Sequence, residues 1–291
     1  MKFMNRGIES DIRADDTEAS CPDPLAYQRQ LDTYFEAAAG YWNDVYSRQD
    51  VNGAVYQERR RRVLEFCGRL DLPRGSLALE IGCGAGFTSV TLALRGYHVH
   101  AVDTVPAMLN FARQHAFEAG VGNQIRTLLA DTHHLPFGNE SFRLVLAIGV
   151  IPWLPSAAPA IREMARVLAP GGALVVSADH AWGLHRVLDP TSSPLTEPLR
   201  EKLRKLLRRK ASGARAVMNS RREIDSALAA AGLRPESGAT LGFGPFTVMR
   251  RPLLPQAIGL KVHYRMQALA DRKLPVFRST GAQYVVAARK D

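Results

Sequence analysis

The sequence has no apolar run approaching the roughly 18 residues that cross a bilayer, and no charged-then-apolar leader at its amino terminus. The expected compartment is therefore the cytoplasm. Cysteine is scarce: Cys21, Cys67 and Cys83 are an odd number without the spacing of a metal site or a disulfide framework. They fit a reducing compartment, and no metal is expected. Acidic residues are also short, 28 against 38 Lys and Arg, giving a net charge of +10. Between Arg200 and Arg222, however, ten Lys or Arg face a single Glu, so this one stretch holds nine of the ten net charges. A nucleic-acid enzyme would spread its basic surface across the active-site face, so nucleic acid is not the expected partner. A localised basic helix can instead lie on an anionic membrane surface or grip an acidic substrate.

What is present is organised around LALEIGCGAGF, Leu77 to Phe87: an apolar run, an acid, three glycines at alternate positions, then a helical pattern. This reads as a strand, a tight turn and a helix start. Glycines at 82, 84 and 86 let a ligand lie against the backbone at the open end of the strand. A dinucleotide-binding turn would place its third glycine one residue later, where Phe87 stands. Further strands end in acids, YHVHAVD at Asp103 and IRTLLAD at Asp131, the latter followed by Thr132. An adenosine would fit that edge, with Asp103 accepting from both ribose hydroxyls and Asp131 from the adenine amino group. Phe142 to Gly149 adds a fourth buried strand, and VLAPGGALVVSAD, Val167 to Asp179, a helix end, a turn and a fifth.

Taken together, ExGxGxG from Glu80, Asp103, ADxxxLPF from Ala130 to Phe137 and VLxPGG resemble the class I S-adenosylmethionine-dependent methyltransferases. The wording is closest to the type 11 domain shared with ubiquinone and menaquinone methyltransferases, and it covers about residues 60 to 180. The resemblance implies S-adenosylmethionine as cofactor and S-adenosylhomocysteine as product. The cofactor-binding residues so implied are Glu80, Gly82, Cys83, Gly84, Gly86, Asp103, Thr104, Met108, Asp131, Thr132, Ala147 and Ile148.

The pattern predicts strands at 77–82, 98–103, 125–131, 142–148 and 172–179, with helices at about 86–95, 105–119 and 156–168. Alternation of this kind means a parallel, doubly wound α/β sheet. The resemblance adds a sixth strand near 234–242 and an antiparallel last one at 282–289, giving a Rossmann-like seven-stranded sheet with a helical amino-terminal lid and two inserted cap segments. The expected domains are a disordered tail over 1–24, the helical lid over 25–70, the cofactor-binding core over 71–180, a basic helical insertion over 181–219, and the rest of the core over 220–291. That last part carries a helical insertion at about 243–280, with a helix over about 256–271.

In the lid, Leu31, Tyr34, Phe35, Tyr41, Trp42, Val45 and Tyr46 share a broadly helical face. They are either core or a cover over the sulfonium, whose positive charge an aromatic face attracts. The run Arg59 to Arg62 reads as a solvated face in preference to a binding site. In the basic insertion Leu199, Leu203, Leu206 and Leu207 lie on one helical side, as the underside of a lid or a membrane-facing surface through 199–222.

In the resembling family a leucine and one or two histidines commonly follow the fourth strand, facing the substrate. Here the words are GVIPWL. The usual general base is missing, and Pro152 and Trp153 make the pocket mouth apolar. The expected substrate pocket comprises Tyr34, Trp42, Tyr46, Pro152, Trp153, Phe243 and Phe246. Its catalytic candidates are His180, just beyond the fifth strand, with Trp153 and Tyr34; His133, His134 and His185 are weaker histidines. Methyl transfer needs in-line geometry and exclusion of water more than it needs acid–base help. The expected function is transfer of a methyl group to a small, apolar or amphiphilic acceptor such as an isoprenoid, lipid-linked or secondary-metabolite compound. The alternatives are an RNA or protein methyltransferase, a catalytically silent S-adenosylmethionine-binding regulator and, disfavoured by the glycine spacing, a nicotinamide oxidoreductase.

Overall fold

A computed structural model describes residues 24–206, 216–249 and 251–291. The expected tail, apart from Pro24, and residues 207–215 of the basic segment lie outside the described residues. In chain order the helices and strands are α1 (Pro24–Ala37), α2 (Ala39–Asp44), α3 (Val51–Arg69), β1 (Leu77–Ile81), α4 (Phe87–Leu94), β2 (His98–Asp103), α5 (Pro106–Glu118) and β3 (Ile125–Leu129). There follow β4 (Phe142–Ala147), α6 (Ala157–Val167), β5 (Leu168–Asp179), α7 (Leu184–Val187), α8 (Glu197–Leu206), α9 (Arg221–Ala230) and β6 (Leu233–Leu241). A two-residue ribbon, β7 (Thr247–Val248) with β8 (Arg251–Pro252), precedes α10 (Gln256–Asp271) and β9 (Gln283–Lys290).

The main sheet has the order β3-β2-β1-β4-β5-β9-β6, and β9 runs antiparallel to both its neighbours. The first five strands pair in parallel. The order reverses beside β1, because β2 and β3 build outwards on one side while β4 and β5 build on the other. A crevice therefore opens at the carboxyl ends of β1 and β4, where a parallel sheet places its ligand.

Both faces of the sheet are covered, which explains the near-continuous apolar strands. Leu144, Leu146 and Val175 point towards Val63, Phe66, Leu92 and Leu109 of α3, α4 and α5. The alternate residues Val145, Ala147, Leu174 and Val176 pack with Ile161 and Met164 of α6 and Ile224 and Leu228 of α9. The fifth strand begins earlier than the sequence pattern predicts: Leu168 pairs with Phe142, and the register then shifts so that Ala173 meets Leu144. The Pro-Gly-Gly turn is thus absorbed as an irregularity inside the strand instead of preceding it.

The amino-terminal helices sit over the carboxyl end of β2. Phe35, Ala39 and Trp42 pack against Val105, Met108 and Phe111 at the start of α5. Helix α3 starts on an Asp50 cap, whose carboxylate accepts from the Gly53 N–H at 2.8 Å. The solvated-face reading of its arginine run is corrected at its first member. Arg59 is only 7% exposed, because it lies one turn before Val63 and Phe66 on the side that meets the sheet. The leucines of α8 also differ from an apolar underside: Leu199 and Leu203 are 70% and 54% exposed.

Candidate functional site

A cavity with an open mouth lies at the carboxyl ends of β1, β2, β4 and β5, under the amino-terminal helices. Its empty space amounts to about 1270 Å³ with the mouth included.

One end is built by the glycine turn and the two acids that flank it. Gly84 has φ +52°, and a Cβ added there would meet nothing within 4 Å; the backbone is open to whatever fills the cavity. Its N–H donates to Asp103 Oδ2 at 2.9 Å, and the Val105 N–H donates to Oδ1 at 3.0 Å. The carboxylate is thereby fixed in orientation while each oxygen keeps a lone pair for a further donor. Burial raises the Asp103 pKa, and those backbone donors work against the rise. Glu80 is buried at the end of β1 and accepts from the Ser89 hydroxyl. Burial pushes its pKa up to about 7, so a cationic ligand beside it would restore its charge. Thr132 Oγ1 and Trp42 Nε1 are buried without a hydrogen-bond partner, and both residues line the cavity. Two orphaned polar atoms and two carboxylates, Glu80 buried and Asp103 half-buried, face this cavity and are the partners that an adenosine carrying an amino acid would require.

The roof is aromatic. Tyr34 lies tilted against Trp153 at 5.7 Å and Phe35 meets it edge-on at 4.9 Å, Phe35 lies 5.9 Å from Trp42, and Trp42 meets Tyr56 edge-on at 5.6 Å. Trp153 stands on a single 3-10 turn, Ile151–Trp153, that directly follows β4. The chain of rings ends on a cation, for the Arg59 guanidinium lies 4.7 Å from the centre of the Tyr56 ring.

That cation marks the other end of the cavity. A Cβ at Gly149 would lie 2.8 Å from Arg59 Nη1, so only glycine lets the guanidinium approach the end of β4. Asp179, the last residue of β5, accepts from Gln283 Nε2 at 3.3 Å. Burial raises its pKa, and the Arg59 charge opposes part of the rise. Arg59, Asp179 and Gln283 all line the cavity.

Of the residues expected to bind the cofactor, Glu80, Gly82, Cys83, Gly84, Asp103, Thr104, Met108, Thr132 and Ile148 line this one cavity. Three stand elsewhere. Gly86 caps α4 and makes room for Ala112, whose Cβ would be 2.7 Å from an added Cβ. Ala147 is enclosed in the core below α6. Asp131 turns to His133, accepting from its N–H and pairing with its Nδ1, both at 2.8 Å; the imidazole holds the carboxylate below its ordinary range.

The residues of the expected acceptor pocket divide in the same way. Trp42, Tyr46, Pro152 and Trp153 line the cavity, but Tyr34 stands behind the rings of Phe35 and Trp153. Phe243 is 2% exposed and packs on Phe277, while Phe246 lies beside Gly244 and Gly259 under α10. His180 is 3% exposed, and its Nδ1 pairs with the Gly281 carbonyl at 3.1 Å. Burial lowers its pKa, and it lies outside the cavity wall. Sequence reasoning missed Arg59, Asp179 and Gln283; the signal for Asp179 was present, since it is a third acid at a strand's carboxyl end.

An α/β sheet with β9 antiparallel, a glycine turn after β1 and an acid after β2 define the Rossmann-like class I methyltransferase fold. Residues 79–176 match the family described as methyltransferase domain. Methyltransferase GfsG of Streptomyces halstedii is 30% identical over 166 residues, which cover 52% of this chain and 58% of that protein. The chain thus spans less than two thirds of that curated relative's length. Among solved structures, magnesium protoporphyrin IX methyltransferase of Synechocystis PCC 6803 with bound SAH has a TM-score of 0.59 at 19% identity, covering 91% of this chain and 100% of that one. The [4+2]-cyclase SpnF has a TM-score of 0.59 at 20% identity, covering 90% and 95%. These two likenesses concern the fold; the second carries a different activity in its name.

Proposed function

We propose that the protein transfers a methyl group from S-adenosylmethionine to a small amphiphilic acceptor. The observation that carries this reading is the single cavity that joins the Glu80–Asp103–Thr132 wall to the Arg59–Asp179 end beneath one aromatic roof. When bound, the cofactor supplies an electrophilic methyl group on a positively charged sulfur. Asp103 would hold the ribose, and Glu80 would face the amino group of the methionine moiety. Trp42 and Trp153 would exclude water and present ring faces to the positive sulfur, an attraction of roughly 0.5–2 kcal/mol. The acceptor would lie between the rings and the polar end, its apolar body against Pro152, Trp153 and Leu154.

Glu80 ties this reading to pH. With its pKa at about 7 against an ordinary value of 4.5, it binds a proton in the folded protein over a range where the unfolded chain has lost it. Its contribution to the stability of the free protein therefore falls as pH rises from about 4.5 to about 7 and levels off above, while His185, pushed down to about 4 by burial, acts in the opposite sense up to about 6.5. S-adenosylhomocysteine, whose ammonium favours the ionised carboxylate, is expected to displace a proton on binding at pH 6. Calorimetry in two buffers of different ionisation enthalpy measures that release, and Glu80→Gln should abolish it.

The transfer itself is tested by incubating the protein with methyl-labelled S-adenosylmethionine and an organic extract of cells. Label in the organic-soluble small molecules is expected. Label in RNA or protein would move the function to those acceptors, and binding of S-adenosylhomocysteine without any transfer would make the protein a silent binder. Peripheral contact with an anionic membrane through 199–222 is a second reading, supported by the exposed Leu195, Leu199 and Leu203 beside the basic residues. Flotation with anionic vesicles at low salt tests it, and absence of binding there would remove it.

A further inference from the structure

The polar end of the cavity is costly by itself. Arg59 is buried with its Nε lacking a hydrogen-bond partner, and Gln283, 6% exposed, has its Oε1 in the same state. A buried guanidinium with an unpaired Nε and a half-buried carboxylate sharing its end of the cavity persist when a ligand completes them. The neighbourhood restricts that ligand by charge. A metal ion or an ammonium would be repelled by Arg59. A carboxylate would be set against Asp179. A neutral group that can give a proton to Asp179 and keep the resulting negative charge on Arg59 satisfies both residues.

We infer that Arg59, Asp179 and Gln283 form the subsite for the reacting group of the acceptor, and that this group is an acidic hydroxyl on an unsaturated carbon, a phenol or an enol. This rests on the methyl-transfer reading for its chemical outcome. The Asp179 carboxylate takes the hydroxyl proton, and the oxygen's negative charge is held by the Arg59 guanidinium. The oxygen then forms the bond to the methyl carbon as the carbon–sulfur bond breaks, its electron pair passing to the sulfur, which becomes a neutral thioether. Asp179 returns its proton to solvent after the product leaves. Asp179 suits the task because burial makes it a stronger base than an ordinary aspartate. Gln283 fixes the carboxylate through its Nε2 at 3.3 Å and leaves Oε1 for a second donor on the acceptor. Tyr46, hydrogen-bonded to Arg59, and Tyr56, stacked on it, hold the guanidinium against Gly149. No histidine takes part, consistent with the position of His180 outside the cavity wall.

The experiment needs no turnover. 4-Nitrophenol, whose phenolate is yellow, is added to the full chain saturated with S-adenosylhomocysteine, at a pH where the free probe is mostly neutral. The wild type is expected to turn the bound probe into its phenolate, with no net proton released to the buffer because Asp179 keeps it. Asp179→Asn should retain the yellow complex but release about one proton per bound probe, read by calorimetry in two buffers. Arg59→Met should lose the phenolate spectrum and bind the probe at least tenfold more weakly. Arg59→Lys, which keeps the charge, should restore part of the spectrum should the methionine variant fold poorly. A neutral spectrum for the wild-type complex, no binding of the probe, or an unchanged phenolate spectrum in Arg59→Met would overturn the inference. Failure of the wild type to bind S-adenosylhomocysteine is a separate result. It would remove the methyl-transfer reading while the probe, added alone, still reports on the subsite.

Discussion

Asp103→Ala is expected to weaken S-adenosylhomocysteine by about 1.5–3 kcal/mol, or roughly ten- to more than a hundredfold, the scale of hydrogen bonds to a charged group. The carboxylate is pinned by the Gly84 and Val105 N–H groups and still has an acceptor site on each oxygen. The variant therefore removes an oriented pair of acceptors and frees the turn that carries Gly84. Asp131→Ala is the matched comparison, because the two acids look alike in the sequence. Its carboxylate is committed to His133 and stands off the cavity wall, so its loss should cost little affinity. Calorimetry on both variants, with melting curves of the free proteins to separate binding from folding, decides between them. Equal losses would mean that Asp131 swings into the site and that the adenine contact read from the sequence is real.

Trp153→Ala should lower turnover by about a hundredfold with cofactor affinity nearly intact, since displacing a reacting group by about 1 Å can cost that much. Trp153 is the ring on which Tyr34 and Phe35 converge, and it lines the cavity beside Phe35 with Tyr34 behind. Removing it opens the site to water and lets the acceptor drift from the line of transfer. Trp42→Ala, one ring further along the same roof, should have a smaller effect of the same kind. His180→Ala and His133→Ala should change turnover only a few-fold, because the first faces the Gly281 carbonyl and the second Asp131. A loss of about a hundredfold or more in either histidine variant, with cofactor binding intact, would show a histidine base after all.

The part of this molecule that could be read from the sequence is the part governed by local pattern. The strand-turn-helix at Gly82 to Gly86, the acids ending β2 and β5, and the helix Gln256–Asp271 follow from periodicity, glycine placement and strand endings, all within about twenty residues. The antiparallel last strand came from the family resemblance, since no local feature of AQYVVAAR sets its direction. What local pattern could not give is where distant side chains meet. Arg59 sits in a run of four arginines, and only packing of α3 onto the sheet shows that one of them points inwards. Gln283 and Asp179 are more than a hundred residues apart yet are opposite partners in the β5–β9 ladder. Phe243 and Phe246 carry the right chemistry for an apolar pocket, but α10 covers them, and a sequence window ending before Gln256 contains no sign of that cover. Asp131 stands off the cavity wall because the histidine two residues later engages its carboxylate, a competition that the strand ending alone does not show.

A crystal structure of the protein with S-adenosylhomocysteine tests the central claim most directly. The ribose hydroxyls are expected on Asp103, the amino group at Glu80, and the sulfur facing the space bounded by Trp153, Arg59 and Asp179. A ribose held elsewhere, or a sulfur turned away from that space, would contradict it.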